Sequence, residues 1–297
     1  MDNKTEIINK IETIVQEDVG RNIKDLCQAA QGGLHAMAHS LLHAKTPCVG
    51  IMTGFFIPDG RPPAGETDGP LGAALLLAGL QKMGIACRLL TDAPCAALCK
   101  AALQGAQVTV PIDIISNHFS PEMAKKAWHQ AGMTHVLAIE RCGKSRDGTY
   151  RNMRGEDIRS HTASLDEVFT GGAWVKLAIG DGGNEIGMGS IPREVISRCV
   201  AKGAVIASVT PADILLVTGV SNWGGYALLG ALAMMHEAWR ATVLDVLTIE
   251  NHDRILKSMV KHGPAVDGVT LKRSMSVDGL PLEKHHAILL KVRKIVE

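Results

Sequence analysis

Aromatic side chains are scarce in this chain: four Phe, four Trp and two Tyr make up 3% of 297 residues. Stacking platforms for nucleobases are correspondingly few, and a core must be built from Ala, Leu, Val, Ile and Met. Charge imbalance is missing too. Thirty-one Lys and Arg against 30 Asp and Glu leave a formal net charge of +1, so neither nucleic acid nor a membrane surface is expected as a partner. No window reaches the roughly 18 uninterrupted apolar residues of a membrane helix. Seven cysteines (27, 48, 87, 95, 99, 142, 199) lie scattered without CxxC pairs, which excludes the usual zinc spacings and points to reduced, buried thiols. Phosphate-loop GxxxxGK[ST] and a clean GxGxxG after the first strand are absent, as is any Ser/His/Asp or Cys/His signature. The first ten residues have neither the apolar core of a secretory leader nor the Arg-rich, acid-poor character of a transit peptide, so no import address is expected in this chain.

What is present is 46% hydrophobic residues, enough for a full globular core. Thr5–Glu17 and about Ile23–Ala44 repeat apolar residues at helical spacing. Short apolar runs then alternate with helix-like stretches: Cys48–Phe56, Ile85–Leu90, Val108–Ile112, Thr134–Ile139, Val175–Ile179 and Ile214–Thr218. Continuous apolar strands alternating with helices predict a parallel sheet covered on both faces. The expected fold is α/β, a doubly wound, three-layer α/β/α domain of Rossmann-like type. It spans 1–297, with a helical entry over 1–45, the sheet core over 46–248 and carboxy-terminal helices over 249–297. The tail helices are interrupted by a turn-rich segment, His262–Leu280.

Ligands of such sheets sit beyond the carboxyl ends of the strands. That rule selects four loops, 58–73, 140–158, 180–189 and 218–225, before any motif is considered. In the first, Arg61, Glu66, Thr67 and Asp68 are held among prolines and glycines. Thr67 or Asp68 is expected to cap a helix starting near Pro70, whose amino terminus would attract an anion. A cap alone would not call for Arg61, Glu66 and Asp68 together. The second loop is rich in both charges, as a solvated surface loop would be. Glu140 and Arg141, nearest the strand end, are its candidate site residues, with arginine suited to a carboxylate. The fourth offers Ser221 and Asn222.

The third loop, Gly180-Asp-Gly-Gly-Asn-Glu-Ile-Gly-Met-Gly189, has five glycines in ten residues, more than one tight turn uses. Asp181 and Glu185 are candidate proton carriers or ligands of a divalent metal; Gly182, Gly183 and Asn184 are candidate substrate contacts. The string is similar to the GDGxND motif of haloacid-dehalogenase-type phosphatases, which hold magnesium through oxygen ligands. Those enzymes need a DxD nucleophile after the first strand, where this chain has Cys48-Val-Gly-Ile-Met-Thr-Gly-Phe-Phe56, so the phosphatase reading fails.

Taken together, "GRPPAGETDGPLGA", "ERCGKSRDGTYRNMRGEDI" and "GDGGNEIGMG", in this order and spacing, resemble the carboxy-terminal domain of the D-glutamate cyclase family over essentially the whole chain. The resemblance implies a lyase that closes D-glutamate to 5-oxo-D-proline with loss of water. It also implies a mitochondrial matrix location and a covalently linked amino-terminal domain in a larger protein. It carries no residue-level assignment, so roles follow from the chemistry. The substrate amine attacks its own γ-carboxyl carbon, which needs a base, an acid and neutralisation of the carboxylate. Two of Glu66, Asp68, Asp181 and Glu185 are expected as base and acid, with Arg61, Arg141 or the helix start at Thr67 holding carboxylates. The chemistry requires no cofactor, although a divalent metal would serve. The alternative is a non-catalytic ligand-binding or regulatory domain.

Overall fold

The computed structural model describes residues 3–297. Among the described residues eight strands are formed: β1 (Cys48–Thr53), β2 (Phe56–Ile57), β3 (Ala64–Gly65), β4 (Ala86–Asp92), β5 (Ile112–Ile115), β6 (His135–Ile139), β7 (Val175–Gly180) and β8 (Ile214–Val217). β2 and β3 make a small antiparallel pair; the other six form one parallel sheet in the order β5-β4-β1-β6-β7-β8. The chain winds outward from β1 and returns to the other side of β1 at β6. The strand order therefore reverses between β1 and β6, where doubly wound sheets open a crevice at their carboxyl edge.

The apolar runs become strands because alternate residues enter two separate cores. Val49, Ile51, Leu137, Ile139, Leu177, Ile179 and Leu216 point into one core. Met52, Val136, Ala138, Ala178, Leu215 and Val217 point into the other. Burial on both faces leaves no polar side to the strands, which is why they read as unbroken hydrophobic stretches.

Helices cover both faces. On the first lie α1 (Asn3–Val15), α3 (Gly33–His43), α4 (Pro70–Lys82), α5 (Ala96–Ala106), α10 (Ser221–Met235), α11 (Arg240–Val246), α12 (Ile249–His262) and α13 (Leu282–Val296). On the second lie α2 (Lys24–Ala29), α6 (Pro121–Gln130), α7 (Asp166–Thr170), α8 (Arg193–Cys199) and α9 (Gly203–Ile206). Helix α10 is buried from Ser221 to Ala233, because it lies on the sheet between α4 and α3 and is covered from outside by α1 and α13. An all-round apolar helix is stable only in such a place.

Two elements differ from the sequence reading. The expected helix over Ile23–Ala44 is broken into α2 and α3 at Gly32, whose φ is +84°. The buried Glu12 carboxylate accepts from the Gly32 and Leu34 amides and so caps the second piece. The expected strand Val108–Ile112 runs instead over Ile112–Ile115. The apolar residues before Pro111 are the descent from α5. Asp113, a charge that argues against a strand, is neutralised by Arg88 at 2.8 Å and by the Trp128 indole N–H at 2.8 Å.

Candidate active site

Two helix amino termini meet at the carboxyl edge of the sheet and cap each other. Helix α4 starts with Pro70 at its first turn and has no side-chain cap of its own. Asn222 Oδ1, from α10, accepts the Gly69 and Gly72 amides at 2.9 and 2.7 Å. In return the Asp68 carboxylate accepts the Asn222 and Ser221 amides at 2.8 and 3.0 Å, capping α10. The close crossing depends on small residues, since a Cβ at Gly225 would stand 2.7 Å from the Gly72 carbonyl oxygen. The cap expected of Thr67 or Asp68 on α4 is therefore corrected: Asp68 caps the neighbouring helix, and the Thr67 hydroxyl donates to the Ser276 carbonyl at 2.8 Å. A ligand anion finds no free amides at Gly69 and Gly72.

Ser221 gathers three carboxylates. Its amide is shared by Asp68 and by Asp181 at 3.1 Å, and its hydroxyl donates to Glu140 at 2.6 Å. One oxygen from each of Asp68, Glu140 and Asp181 lies within 4.8 Å of the others. Glu140 reaches this position with φ at +43°, a left-handed backbone that costs a non-glycine residue roughly 1–2 kcal/mol. It follows β6, at the point where the strand order reverses.

In front of Glu140 and Asp181 lies a cavity of about 190 Å³, below the ~300 Å³ at which drug-sized ligands begin and suited to a molecule of amino-acid size. Its walls come from five places: Phe55, Ile57 and Glu66 after β1; Glu140, Asn152, Met153 and Arg154 after β6; Asp181, Asn184 and Glu185 after β7; Arg21 between α1 and α2; and Gly268, Val269 and Asp278 between α12 and α13. Arg21 bridges Asp181 at 2.6 Å and Asp278 at 2.9 Å. The other Asp278 oxygen is buried without a partner. Glu66 is also buried, and its carboxyl takes part in no hydrogen bond among the described residues. It lies so close over Gly268 that a Cβ there would meet Glu66 Oε2 at 1.9 Å.

Burial dominates the electrostatics. It pushes Glu66 well above the usual carboxylate range, with Asp278 and Asp68 adding like-charge repulsion. Burial and Asp278 push Asp68 up to about 7 against the amides of Asn222 and Ser221 and the charge of Arg21. Glu140 is raised by burial and then by Asp181 and Glu185, and Asp181 by burial against the opposing charge of Arg21. Burial that raises carboxyl groups in this way is how proteins tune them for proton transfer.

Of the residues singled out in the sequence, Glu66, Asp68, Glu140, Asp181, Asn184, Glu185, Ser221 and Asn222 are brought together. Glu185 differs from its neighbours in what it contacts: its carboxylate accepts the amides of Asp181, Gly182 and Gly183 at 3.0, 2.6 and 2.7 Å. This answers what the glycine-rich loop requires: the backbone wraps around Glu185, so the amides of Gly182 and Gly183 face that carboxylate and not a ligand. Arg141 is buried against Asp92 at 2.6 Å and the carbonyls of Gly54 and Ala163, away from the cavity lining. Arg61 is exposed and lies outside it too. The guanidinium at the cavity is Arg21, which the strand-end rule could not select. Asp278 was missed for the same reason; the repeated Val-Asp-Gly at 266–268 and 277–279 is the signal that would have marked it. The cysteines are free, and burial raises the thiols of Cys95 and Cys142, which makes them poor nucleophiles.

The family profile described as D-glutamate cyclase-like, C-terminal, matches residues 11–293. A human protein named D-glutamate cyclase, mitochondrial, is 29% identical over an alignment of 327 positions that covers 98% of this chain and 51% of the relative. The chain thus spans about half the length of the curated relative it matches.

Proposed function

The chain belongs to the D-glutamate cyclase-like C-terminal family, and from that premise we propose that it is a lyase closing D-glutamate to 5-oxo-D-proline with loss of water. The observation that carries the reading is Glu66, a buried carboxyl with a raised pKa and no hydrogen-bond partner, exposed only to a cavity of amino-acid size. In a ring closure the substrate is its own nucleophile. The protein must hold the chain bent, move protons and weaken the negative charge of the γ-carboxylate.

Of the three ammonium protons, one stays on the lactam nitrogen and two leave on the departing oxygen as water. Glu66 as carboxylate takes the two departing protons in turn, one before and one after nitrogen attacks the γ-carbon, and as acid delivers each to the leaving oxygen. Arg21, and Arg154 at the rim, supply the positive charge for the substrate carboxylates. Glu140 and Asp181 face the ammonium. The half-length match and the name of the relative support a linked amino-terminal domain and a mitochondrial matrix location as parts of the same proposal.

Incubating the chain with D-glutamate and following 5-oxoproline by chiral chromatography and mass spectrometry tests the reading. Time-dependent product from the chain alone is expected. A folded chain that binds D-glutamate and yields product only when joined to an amino-terminal domain would move this half to the role of a binding module.

A further inference from the structure

Two asparagine side chains line the cavity, and the protein uses them differently. Asn152 is saturated: its Oδ1 accepts the Arg154 and Glu156 amides, both at 3.0 Å, and its Nδ2 donates to the Glu156 carboxylate. Asn184, only 1% exposed, is engaged at one end. Its Nδ2 donates to the Arg151 carbonyl at 2.8 Å, and because a carbonyl can only accept, that bond fixes which end of the side-chain amide is nitrogen. The Oδ1 end receives no donor among the described residues. Gly182 keeps room beside it, since a Cβ there would stand 3.2 Å from Asn184 Oδ1 and 2.9 Å from the Met153 sulfur, another part of the cavity wall. A nearly buried amide oxygen without a donor is costly, so this one calls for a donor from the ligand.

The carboxyl groups around the cavity, Glu66 among them, can accept a hydrogen bond and then take the proton. An amide oxygen accepts the bond and leaves the proton where it is. Ring closure of D-glutamate needs acceptors of both kinds at the nitrogen. The bond between nitrogen and the γ-carbon forms, one bond from the γ-carbon to oxygen breaks, two of the three ammonium protons leave on that oxygen as water, and the third stays on the lactam nitrogen. We infer that Asn184 Oδ1 accepts the N–H that stays, turning the nitrogen so that its departing protons face Glu66 and its emerging lone pair faces the γ-carbon. The assignment rests on the cyclase reading and makes Asn184 a specificity-determining residue. It suits a primary amine, whose nitrogen keeps one proton in the product, and opposes a secondary amine, whose nitrogen keeps none.

The test compares D-glutamate with N-methyl-D-glutamate in the parent chain and in Asn184→Ala, following 5-oxoproline and its N-methyl counterpart by mass spectrometry. The parent should prefer D-glutamate by about 100-fold or more in kcat/KM, as a site built around a substrate N–H does against an analogue that lacks it. Asn184→Ala removes the acceptor and opens space for a methyl group, so the preference should fall below about tenfold, chiefly through slower D-glutamate. A side chain that only tethers the Arg151 carbonyl would slow both substrates alike, and an unchanged ratio in Asn184→Ala overturns the inference. Similar kcat/KM for the two substrates in the parent overturns it without any variant, which keeps the test valid should Asn184→Ala not fold. The two readings fail separately: a parent chain that cyclises D-glutamate with a ratio indifferent to Asn184 loses this role alone, whereas a parent chain that cyclises neither substrate loses the cyclase reading and this role with it.

Discussion

The loop at 180–189 and the segment 263–281 border the same cavity, and each contributes two acids that live in opposite conditions. In the loop, Glu185 takes three backbone amides. In the segment, Asp267 accepts the amides of Val269, Thr270 and Gly279 and the Ser276 hydroxyl. These two are saturated, and they shape the backbone around themselves. Asp181 and Asp278, from the same two stretches, line the cavity and share Arg21. A carboxylate committed to several backbone donors is part of the scaffold; one that lines a cavity and is held by an ion pair there is placed for chemistry.

The largest break in that comparison should come from Glu185→Ala. Three amides would lose a charged acceptor in a buried loop, a loss of about 4.5 kcal/mol at roughly 1.5 kcal/mol per charge-assisted bond. Urea unfolding reads it directly, and a loss under 1 kcal/mol would mean that the loop holds its shape without Glu185.

Acid should weaken the segment 263–281 next. His285 accepts from the Trp223 indole N–H at 3.0 Å and makes a 3.2 Å contact through Nε2 with the Val277 carbonyl, beside Asp278. Burial, followed by the nearby His252, holds its pKa at about 4. The imidazole is therefore neutral when folded, whereas the unfolded chain takes up a proton below its ordinary value near 6.5. The contribution is complete above pH 6.5 and is lost as pH falls toward 4, about 3.5 kcal/mol at ~1.4 kcal/mol per pKa unit. Stability measured across that window should fall more steeply in the parent chain than in His285→Gln; parallel curves would remove His285 as the cause.

A smaller effect sharpens the role of the bridge between the two regions. Lysine in place of Arg21 keeps the charge but loses the fork that spans Asp181 and Asp278. The expected result for Arg21→Lys is a KM for D-glutamate raised about tenfold, ~1.4 kcal/mol, with kcat changed less. An unchanged KM would place the substrate carboxylates elsewhere.

Much of the frame was legible in the sequence because each central strand is a continuous apolar run, and only burial on both faces produces that pattern. Strand ends then led to Glu66, Asp68, Glu140 and Asp181. Arg21 and Asp278 were not legible by that rule. They come from connections between helices outside the sheet, and only the packing of α1, α10 and α13 carries them to its carboxyl edge. Roles were less legible than positions. Glu185 and Asp181 sit four residues apart in one motif, and which of them receives the loop amides is decided by the fold of the loop. Arg141 stands at a strand end as expected, but Asp92 at the end of β4, across β1, takes its charge.

The central claim is that the carboxyl group without protein partners does the chemistry, and Glu66→Gln measures it most directly. Glutamine fills the same space over Gly268 and cannot accept the ammonium proton. Turnover of D-glutamate to 5-oxoproline should fall by about 10²-fold or more, while the unfolding free energy stays the same or rises as the repulsion from Asp278 and Asp68 is relieved. Near-normal turnover in Glu66→Gln, or a loss of stability as large as that of Glu185→Ala, would contradict the account.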